Sequence, residues 1–331
     1  MRPAVLFAAA ACLLSACLLC ACGRYDSFAL PKPGPSAALE LDWKPKAEPV
    51  IPRGKALDVL NPSVVVWGGQ YLNLYSQFDG TRWDTMLATS KDGYSCIGGG
   101  KVLGPSEAWE GTYIAANGGV AVHGRHLIYA YQAGEKGRTV IGVASSVDGR
   151  NWKKHPAPVL DLGPRMSWDE ISLGDPYLLS IGEDLYLFYL GEDRARRQRL
   201  GIARSKDGFT WTKLRGGPLL EVGGAGDFDE NGLGEPAVFA ANGQWVMIYT
   251  GRDRKERRAM GYAVSKDGKT WEKRREPVLR GMSSWNNAVV CDATVLVEGG
   301  RARIWFGGGD LPKPDERLNG QIGYAELLER D

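Results

Sequence analysis

Histidine and cysteine are scarce in this chain, and their positions exclude most metal and redox chemistry. Its 331 residues include three histidines and six cysteines, and four of those cysteines lie within residues 12–22. Cys96 and Cys291 are left for the folded part, so the sequence offers no disulfide framework. No histidine stands in a zinc-ligand spacing such as HxxxH or HExxH. We expect no metal site and no cofactor, and we expect both remaining thiols to be packing groups.

The chain also has no large excess of positive or negative charge. Lys and Arg number 41 against 39 Asp and Glu, which gives a net charge of +2. Proteins that bind nucleic acid usually carry a basic surface, because phosphate contacts supply much of their affinity. We therefore expect no nucleic-acid partner. A hydrophobic fraction of 44% also excludes a disordered chain.

The one long apolar run lies at the N terminus. Residues 4–21 are rich in Ala, Leu and Cys, and they are too short and too small for a comfortable membrane span. Such a run after Arg2 is typical of an export signal. Residues 14–17 (LSAC) and 19–22 (LCAC) both resemble the bacterial lipoprotein box, whose cysteine is lipidated after cleavage. We prefer Cys22 to Cys17, and a plain secreted protein with a cleaved signal is the alternative.

This N-terminal pattern divides the chain into three parts. We predict a lipoprotein signal peptide over residues 1–22, a Pro-rich tether over residues 23–52 and a folded domain over residues 53–331. The expected location is the cell envelope, with the protein held by its lipid at the outer membrane or on the periplasmic face. We expect a monomer there.

Glycine, at 44 residues, is abundant and marks an internal repeat. Four S-x-D-G segments occur, and their aspartates are 56, 59 and 60 residues apart. Each Asp-Gly predicts a tight turn between two strands. The four aspartates are Asp92, Asp148, Asp207 and Asp267.

A second column of residues stands at the head of an alternating apolar strand in every repeat, at spacings of 56, 58, 60 and 57. Each of these strands runs through a turn, usually Gly-bearing, into an aromatic strand, and no helical pattern is visible. Five copies of nearly 60 residues with about four short strands each predict an all-β, five-bladed β-propeller. The column consists of Asn61, Asn117, Asp175, Glu235 and Asp292.

In a propeller the inner strands converge on one axial opening, so this column becomes a ring. Three carboxylates in one ring repel one another and raise the pKa of at least one of them. Paired carboxylates in a funnel are the equipment of glycoside hydrolysis. A third column places an aromatic before an acid or amide, as in Trp168-Asp169. Its members either line a sugar-binding cleft or wedge between blades.

The blade repeats, N-P-S-V at residues 61–64, G-D-P at residues 174–176 and G-E-P at residues 234–236 resemble the five-bladed propeller glycosidases of families 32, 43, 62, 68, 117 and 130. The resemblance covers about residues 53–328. In family 43 a first-blade Asp is the general base, a third-blade Asp tunes the acid and a fourth-blade Glu is the acid. The resemblance therefore implies Glu235 as the general acid and Asp175 as its tuning residue.

The first blade departs from that pattern, because Asn61 stands where the base is expected. Asp58 or Asp292 is then the candidate base, and the alternative for Asp58 is a turn or cap residue. An Asn-Pro in the first blade is also similar to family 130, the mannoside phosphorylases and their relatives. In that family phosphate is the nucleophile and a third-blade Asp delivers the proton. Phosphate needs cations, and Arg252 is the arginine of the two Arg-rich loops that we place in the cleft.

These features predict an extracytoplasmic glycoside hydrolase that acts on an oligosaccharide or polysaccharide by inversion. The alternatives are a carbohydrate-binding lipoprotein that lost its base at Asn61 and a family-130-like phosphorylase. The predicted substrate contacts are Asn61, Asn117, Asp292, Arg252, Trp168 and Asp169.

Overall fold

A computed structural model describes residues 28–34, 36, 39, 43–214, 216–299 and 301–327. The described residues form twenty β-strands and two 3-10 helices of three residues, Ala108–Glu110 and Ser284–Asn286. The predicted all-β class is confirmed. Within this part of the chain, no helix has the length and apolar character needed to cross a bilayer.

The strands form five consecutive antiparallel groups, which we call units 1 to 5. Unit 1 has four strands within residues 58–103, and the next three units repeat the same order. In unit 5 the outermost strand is β1 (Lys44–Pro45), which precedes unit 1 in the sequence and pairs with β20 (Gln321–Leu327). Five such groups support the predicted count of five blades, which itself stays a prediction.

The strand bounds, unit by unit, are as follows. Unit 1 has β2 (Asp58–Trp67), β3 (Gln70–Phe78), β4 (Trp83–Ser90) and β5 (Ile97–Leu103). Unit 2 has β6 (Ile114–His123), β7 (His126–Glu135), β8 (Arg138–Ser146) and β9 (Lys153–Lys154). Unit 3 has β10 (Ser172–Ile181), β11 (Asp184–Glu192), β12 (Gln198–Ser205) and β13 (Thr212–Lys213). Unit 4 has β14 (Gly232–Ala241), β15 (Gln244–Arg252), β16 (Arg258–Ser265) and β17 (Glu272–Lys273). Unit 5 has β18 (Val289–Glu298), β19 (Arg301–Gly309), β20 (Gln321–Leu327) and β1 (Lys44–Pro45).

The first strand of each unit carries a β-bulge at its second-column residue. In β2 the register jumps between Leu60 and Ser63, so that Asn61 and Pro62 stay outside the ladder. All five column residues have a positive φ, between 48° and 59°. Asn and Asp tolerate this left-handed conformation best, and a bulge also accepts a proline, which has no N–H to pair. The repeated spacing in the sequence therefore marks a repeated backbone distortion.

The N-terminal segment corrects one prediction. Phe28, Leu30 and Trp43 are buried in the core, and β1 lies in the sheet of unit 5. The described residues of the predicted tether, 23–52, thus belong to the folded domain, because their apolar side chains pack on units 3, 4 and 5. Cys22 and the predicted signal peptide lie outside the described residues.

Candidate active site

A cavity of about 570 Å³ opens at the end of the molecule where the first strand of each unit begins. Residues from the first strands form its floor, and the hairpins between the second and third strands of units 2, 3 and 4 form its wall. A loop at residues 310–320, between β19 and β20, closes one side. All five second-column residues line the cavity, so the structure brings the predicted ring together.

Hydrogen bonds link four ring residues from unit to unit. The Asn61 amide and side chain donate to the Asp292 carboxylate at 3.1 and 2.9 Å. The Asp292 amide donates to Glu235 Oε2 at 3.1 Å, and the Glu235 amide donates to the Asp175 carboxylate. The bulges turn these backbone N–H groups toward the neighbouring unit. The ring is therefore held rigidly, and its carboxylates lie close together.

Two ring carboxyls hold their protons more strongly than usual. Burial and the charge of Glu235 raise the pKa of Asp175 to about 8. The same two causes raise the pKa of Asp292 well above its ordinary value. With a pKa of about 8, the Asp175 carboxyl keeps its proton at neutral pH and can donate it. The sequence predicts a raised pKa for at least one carboxyl in the ring, and Asp175 and Asp292 show it.

Glu235, Asp292 and the buried Cys291 offer ligand atoms within 4.8 Å of one another. The Cys291 thiol donates to Asp292 Oδ2, and burial raises the thiol's pKa well above its ordinary value. A protonated thiol is a poor metal ligand, and the charge of Arg258 also acts on this group. The short separation has a further consequence, because an inverting pair of carboxyls needs about 6.5–9.5 Å. Asp292 therefore does not fit the predicted role of base opposite Glu235.

Asp58, the other predicted base, lies outside the cavity lining. Its side chain is fully buried and accepts backbone N–H groups of Arg317, Leu318 and Gly320, the last two at 2.8 Å. These bonds fix the C-terminal end of the 310–320 loop. Asp58 therefore anchors the loop. Its carboxylate accepts these three hydrogen bonds and does not face the cavity.

Trp168 and Asp169 also lie outside the cavity, which corrects their prediction as substrate contacts. Trp168 stacks on Tyr189 with ring centroids 5.6 Å apart. Asp169 is 4% exposed, and Lys213 Nζ donates to it at 2.6 Å. Units 2 and 4 repeat this arrangement. In units 2, 3 and 4 the third-column residues therefore pack against strands of their own unit; the matching pairs are Glu110–Lys154 and Asp229–Lys273.

Four cationic side chains line the cavity together with the ring. Arg252 is among them, as predicted, and its Nε is buried without a hydrogen-bond partner. Arg258 donates to the carbonyl oxygens of Pro314 at 2.6 Å and Lys313 at 3.1 Å. The other two are Lys136 and Arg196.

The 310–320 loop holds several of these cations. Lys136 Nζ donates to Glu316 at 2.6 Å and lies 3.5 Å from Asp315. Arg252 shares the Pro314 carbonyl with Arg258, at a longer 3.5 Å. Sequence reasoning noticed the Arg-rich hairpins but missed Lys136 and this loop, because neither recurs at the repeat spacing. Neutral polar residues of the lining were missed for the same reason; they include Gln132, Thr139, Gln198 and Thr250.

The described residues thus combine an all-β fold with a carboxylate ring and cationic side chains at one cavity. Among sequence families, the model of glycoside hydrolase family 130, described as β-1,4-mannooligosaccharide phosphorylase, matches residues 97–222. That span contains Asn117 and Asp175 but not the other three ring residues. No protein with a curated description matches the chain.

Solved structures match nearly the whole chain at low sequence identity. A β-1,2-mannobiose phosphorylase from Listeria innocua, in complex with β-1,2-mannobiose, is 13% identical with a TM-score of 0.72, covering 87% of this chain and 97% of that one. A structure reported with glycoside hydrolases of family 130 that target β-1,2 mannosidic linkages in Candida mannan is 17% identical, with a TM-score of 0.68 and coverages of 89% and 96%. A thermostable family-43 glycoside hydrolase is 18% identical, with a TM-score of 0.65 and coverages of 82% and 90%. The chain has the fold of the propeller glycosidase superfamily.

Proposed function

We propose that the chain cleaves a glycosidic bond of a glycan bound in the cavity, with Asp175 as the proton donor. The observation that carries this proposal is the raised pKa of Asp175, about 8, in a ring that faces the cavity. The resemblance to family 43 assigned the acid to Glu235. The proton held by Asp175 instead favours the family-130 arrangement, in which the third-unit Asp is the donor and the Glu235 charge keeps it protonated.

The nucleophile follows from what the ring lacks. Asn61 cannot accept a proton from water. The Asp58 carboxylate already accepts backbone N–H groups of the 310–320 loop. Asp292 lies too close to Glu235 to act as the base opposite it. Orthophosphate needs no base, and Arg252 and Arg258 stand beside the ring to bind it. A phosphate oxygen bonds to the anomeric carbon, the bond to the leaving oxygen breaks, and that oxygen takes the Asp175 proton. The carboxylate is then reprotonated by the proton that phosphate brings.

Direct hydrolysis is the second candidate, because one of the structural neighbours above is a family-43 glycoside hydrolase and another was reported with family-130 hydrolases. The predicted export of the chain also favours water, since orthophosphate is scarcer outside the cytoplasm. A glycan-binding protein without turnover is the remaining alternative. All three place the sugar in the same cavity.

One experiment separates these candidates. The protein is incubated with β-1,2- and β-1,4-linked mannooligosaccharides, with and without orthophosphate, and products are identified as sugar phosphates or new reducing ends. We expect sugar 1-phosphate only with phosphate, and at least about tenfold less of it from Arg258→Gln than from the control Arg254→Gln, whose side chain is exposed. New reducing ends without phosphate would establish hydrolysis. Binding without any product would leave a lectin-like protein.

We also propose that the protein is exported and lipidated at Cys22, on the strength of residues 19–22 (LCAC) at the end of an apolar run. Radiolabelled palmitate should be incorporated into the wild type and into Cys17→Ser, and should be lost in Cys22→Ser. Incorporation lost only in Cys17→Ser would assign the lipid to the earlier cysteine.

A further inference from the structure

The face opposite the cavity has a composition of its own. We call it the basal face and define it by the four S-x-D-G turns, which follow β4, β8, β12 and β16. Three turns present Lys91, Lys206 and Lys266, and the fourth presents Val147, which is 64% exposed. Phe209, 38% exposed, lies three residues beyond Lys206 in the same turn. Three lysines and two apolar side chains therefore stand on this face, next to the aspartates of the same turns.

The acidic residues of these turns do not cancel the lysine charges by pairing with them. Asp207 Oδ1 accepts the N–H groups of Phe209 and Thr210 at 2.8 and 2.7 Å, and the other three turns repeat this bond pair. Lys91, Lys206 and Lys266 form no ion pair within the described part of the chain. The ammonium groups are thus free to meet an external anion.

The centre of the basal face is apolar. A second cavity, of about 800 Å³, opens there between the C-terminal ends of the first strands. Val66 and Val297 stand at those ends and are 39% and 38% exposed. An apolar opening of this size, surrounded by the lysine-bearing turns, is typical of an interaction site. Its lining includes Val65, Val122, Leu179, Ile181, Phe239 and Leu296.

The N-terminal segment joins the folded domain on this same face. Leu30 packs on the turn at Gly268, and its amide donates to Asp267 O at 2.7 Å. Phe28 is buried beside it. Cys22 precedes Phe28 by six residues, which span at most about 20 Å when extended. An anchor at Cys22 therefore holds the basal face within about that distance of the lipid.

From these four observations we propose that the basal face docks on an anionic lipid bilayer, with the cavity directed away from it. The lysines bind phosphate headgroups, Phe209 and Val147 enter the interfacial layer, and the apolar mouth lies over the acyl boundary. The arrangement leaves the cavity open to a large glycan while the domain stays at the membrane. The inference uses the proposed position of the anchor but not the proposed chemistry.

Hydrogen–deuterium exchange of the full chain tests the docking directly. The protein is compared in detergent micelles and in vesicles of phosphatidylcholine with phosphatidylglycerol. We expect slower exchange on the vesicles in the four basal turns and no change in the cavity-side hairpins 193–197 and 253–257, which are the internal control. Slowing at the hairpins, or at neither region, would overturn the proposal. Slowing of the turns that depends on protein concentration without lipid would assign the face to a second copy instead. The four turns are residues 91–95, 147–151, 206–210 and 266–270.

A charge-reversal series gives an independent measurement. In the Cys22→Ser background, the full chain carrying K91E, K206E and K266E is compared with one carrying R165E, R254E and K255E on the cavity side. Flotation should show at least about tenfold weaker binding to phosphatidylglycerol vesicles for the basal triple variant, because each surface lysine adds to the affinity. Glycan binding in the cavity should match the control, which shows that the variant is folded. Equal vesicle binding by both triples refutes the electrostatic contact.

Discussion

Asp175 keeps its proton because two effects act on the same carboxyl group. Burial in the ring removes the water that would stabilise its charge, and Glu235 adds a like charge close by. The cations of the cavity lining, Arg252 and Arg258, act in the other direction and lower its pKa, but they are weaker causes. Phosphate bound to these arginines would offset their charge and favour the protonated form further. The binding of phosphate and the protonation of Asp175 would thereby be coupled.

The state of Asp175 predicts a pH dependence of stability. The pKa of about 8 in the folded chain exceeds the ordinary value of 3.8, so the folded state binds the proton more strongly than the unfolded one. Stability from this group is full below about pH 4 and is lost as pH rises toward about 8. In Asp175→Asn the loss should become smaller, and the part that remains is the contribution of Asp292, whose pKa is also raised. Denaturant unfolding of both proteins between pH 5 and about 8.5 measures it.

Activity supplies the matched test of the same residue. Turnover by the wild type should fall above about pH 8, where Asp175 loses its proton. Glu235→Gln removes the neighbouring charge, so the fall should move to lower pH. Asp175→Asn should lose turnover by about 100-fold or more at every pH. The opposite result would be that Glu235→Gln abolishes turnover while Asp175→Asn stays active and its turnover still falls above about pH 8. The acid would then be Glu235, as the family-43 resemblance implies.

The ring could be predicted from the sequence because every unit needs the same bulge, and a bulge with positive φ limits its residue to a few types. Spacing therefore revealed Asn61, Asn117, Asp175, Glu235 and Asp292 before any coordinate. The spacing carried no information about the direction of side chains outside the ring. For that reason the sequence predicted cavity positions for Trp168, Asp169 and Asp58 that the structure does not show. Side-chain packing directs all three away from the cavity.

The 310–320 loop is the element that gives the cavity its shape. It leaves unit 5, crosses toward Lys136 of unit 2 and touches Arg252 and Arg258 of unit 4. Its carbonyls and acidic side chains occupy the same cations that a phosphate would use. In the part of the chain that the structure describes, no other unit has such a loop, so the repeat spacing could not predict it. Asp58 fixes one end of it by backbone hydrogen bonds.

Asp58→Asn should therefore act through this loop. The amide cannot accept all three N–H groups, and the loss of hydrogen bonds to a buried charge costs about 3 kcal/mol of unfolding free energy. Exchange in residues 316–320 should accelerate, and KM for the glycan should rise more than kcat falls. Asp84→Asn, a change in a β4 carboxylate that is 14% exposed and pairs with Arg82 and Lys101 rather than with the loop, is the control. A collapse of kcat with unchanged stability and loop exchange would restore Asp58 as the base.

Two strands that are far apart in the sequence pair to complete unit 5. β1 from the N-terminal segment pairs with β20, the last strand of the chain, at Lys44↔Glu326 and Pro45↔Ala325. Leu39 and Trp43 then pack in one core cluster with side chains of units 4 and 5. The sequence led to the prediction of a tether here, because prolines and polar residues separate the apolar ones and hide their burial. Closure by β1 could not be predicted from composition.

Trp43→Ala should show that this closure stabilises the entire domain. Trp43 is 5% exposed, and truncation of a buried tryptophan costs about 3–5 kcal/mol. Because β1 completes unit 5 beside unit 1, the loss should lower the midpoint of one cooperative unfolding transition rather than detach the N terminus locally. Guanidinium unfolding followed by both fluorescence and circular dichroism measures this. Trp67→Ala, at the half-exposed end of β2, is the control and should cost clearly less. A Trp43 variant within about 1 kcal/mol of wild type would show that the segment is dispensable for the fold.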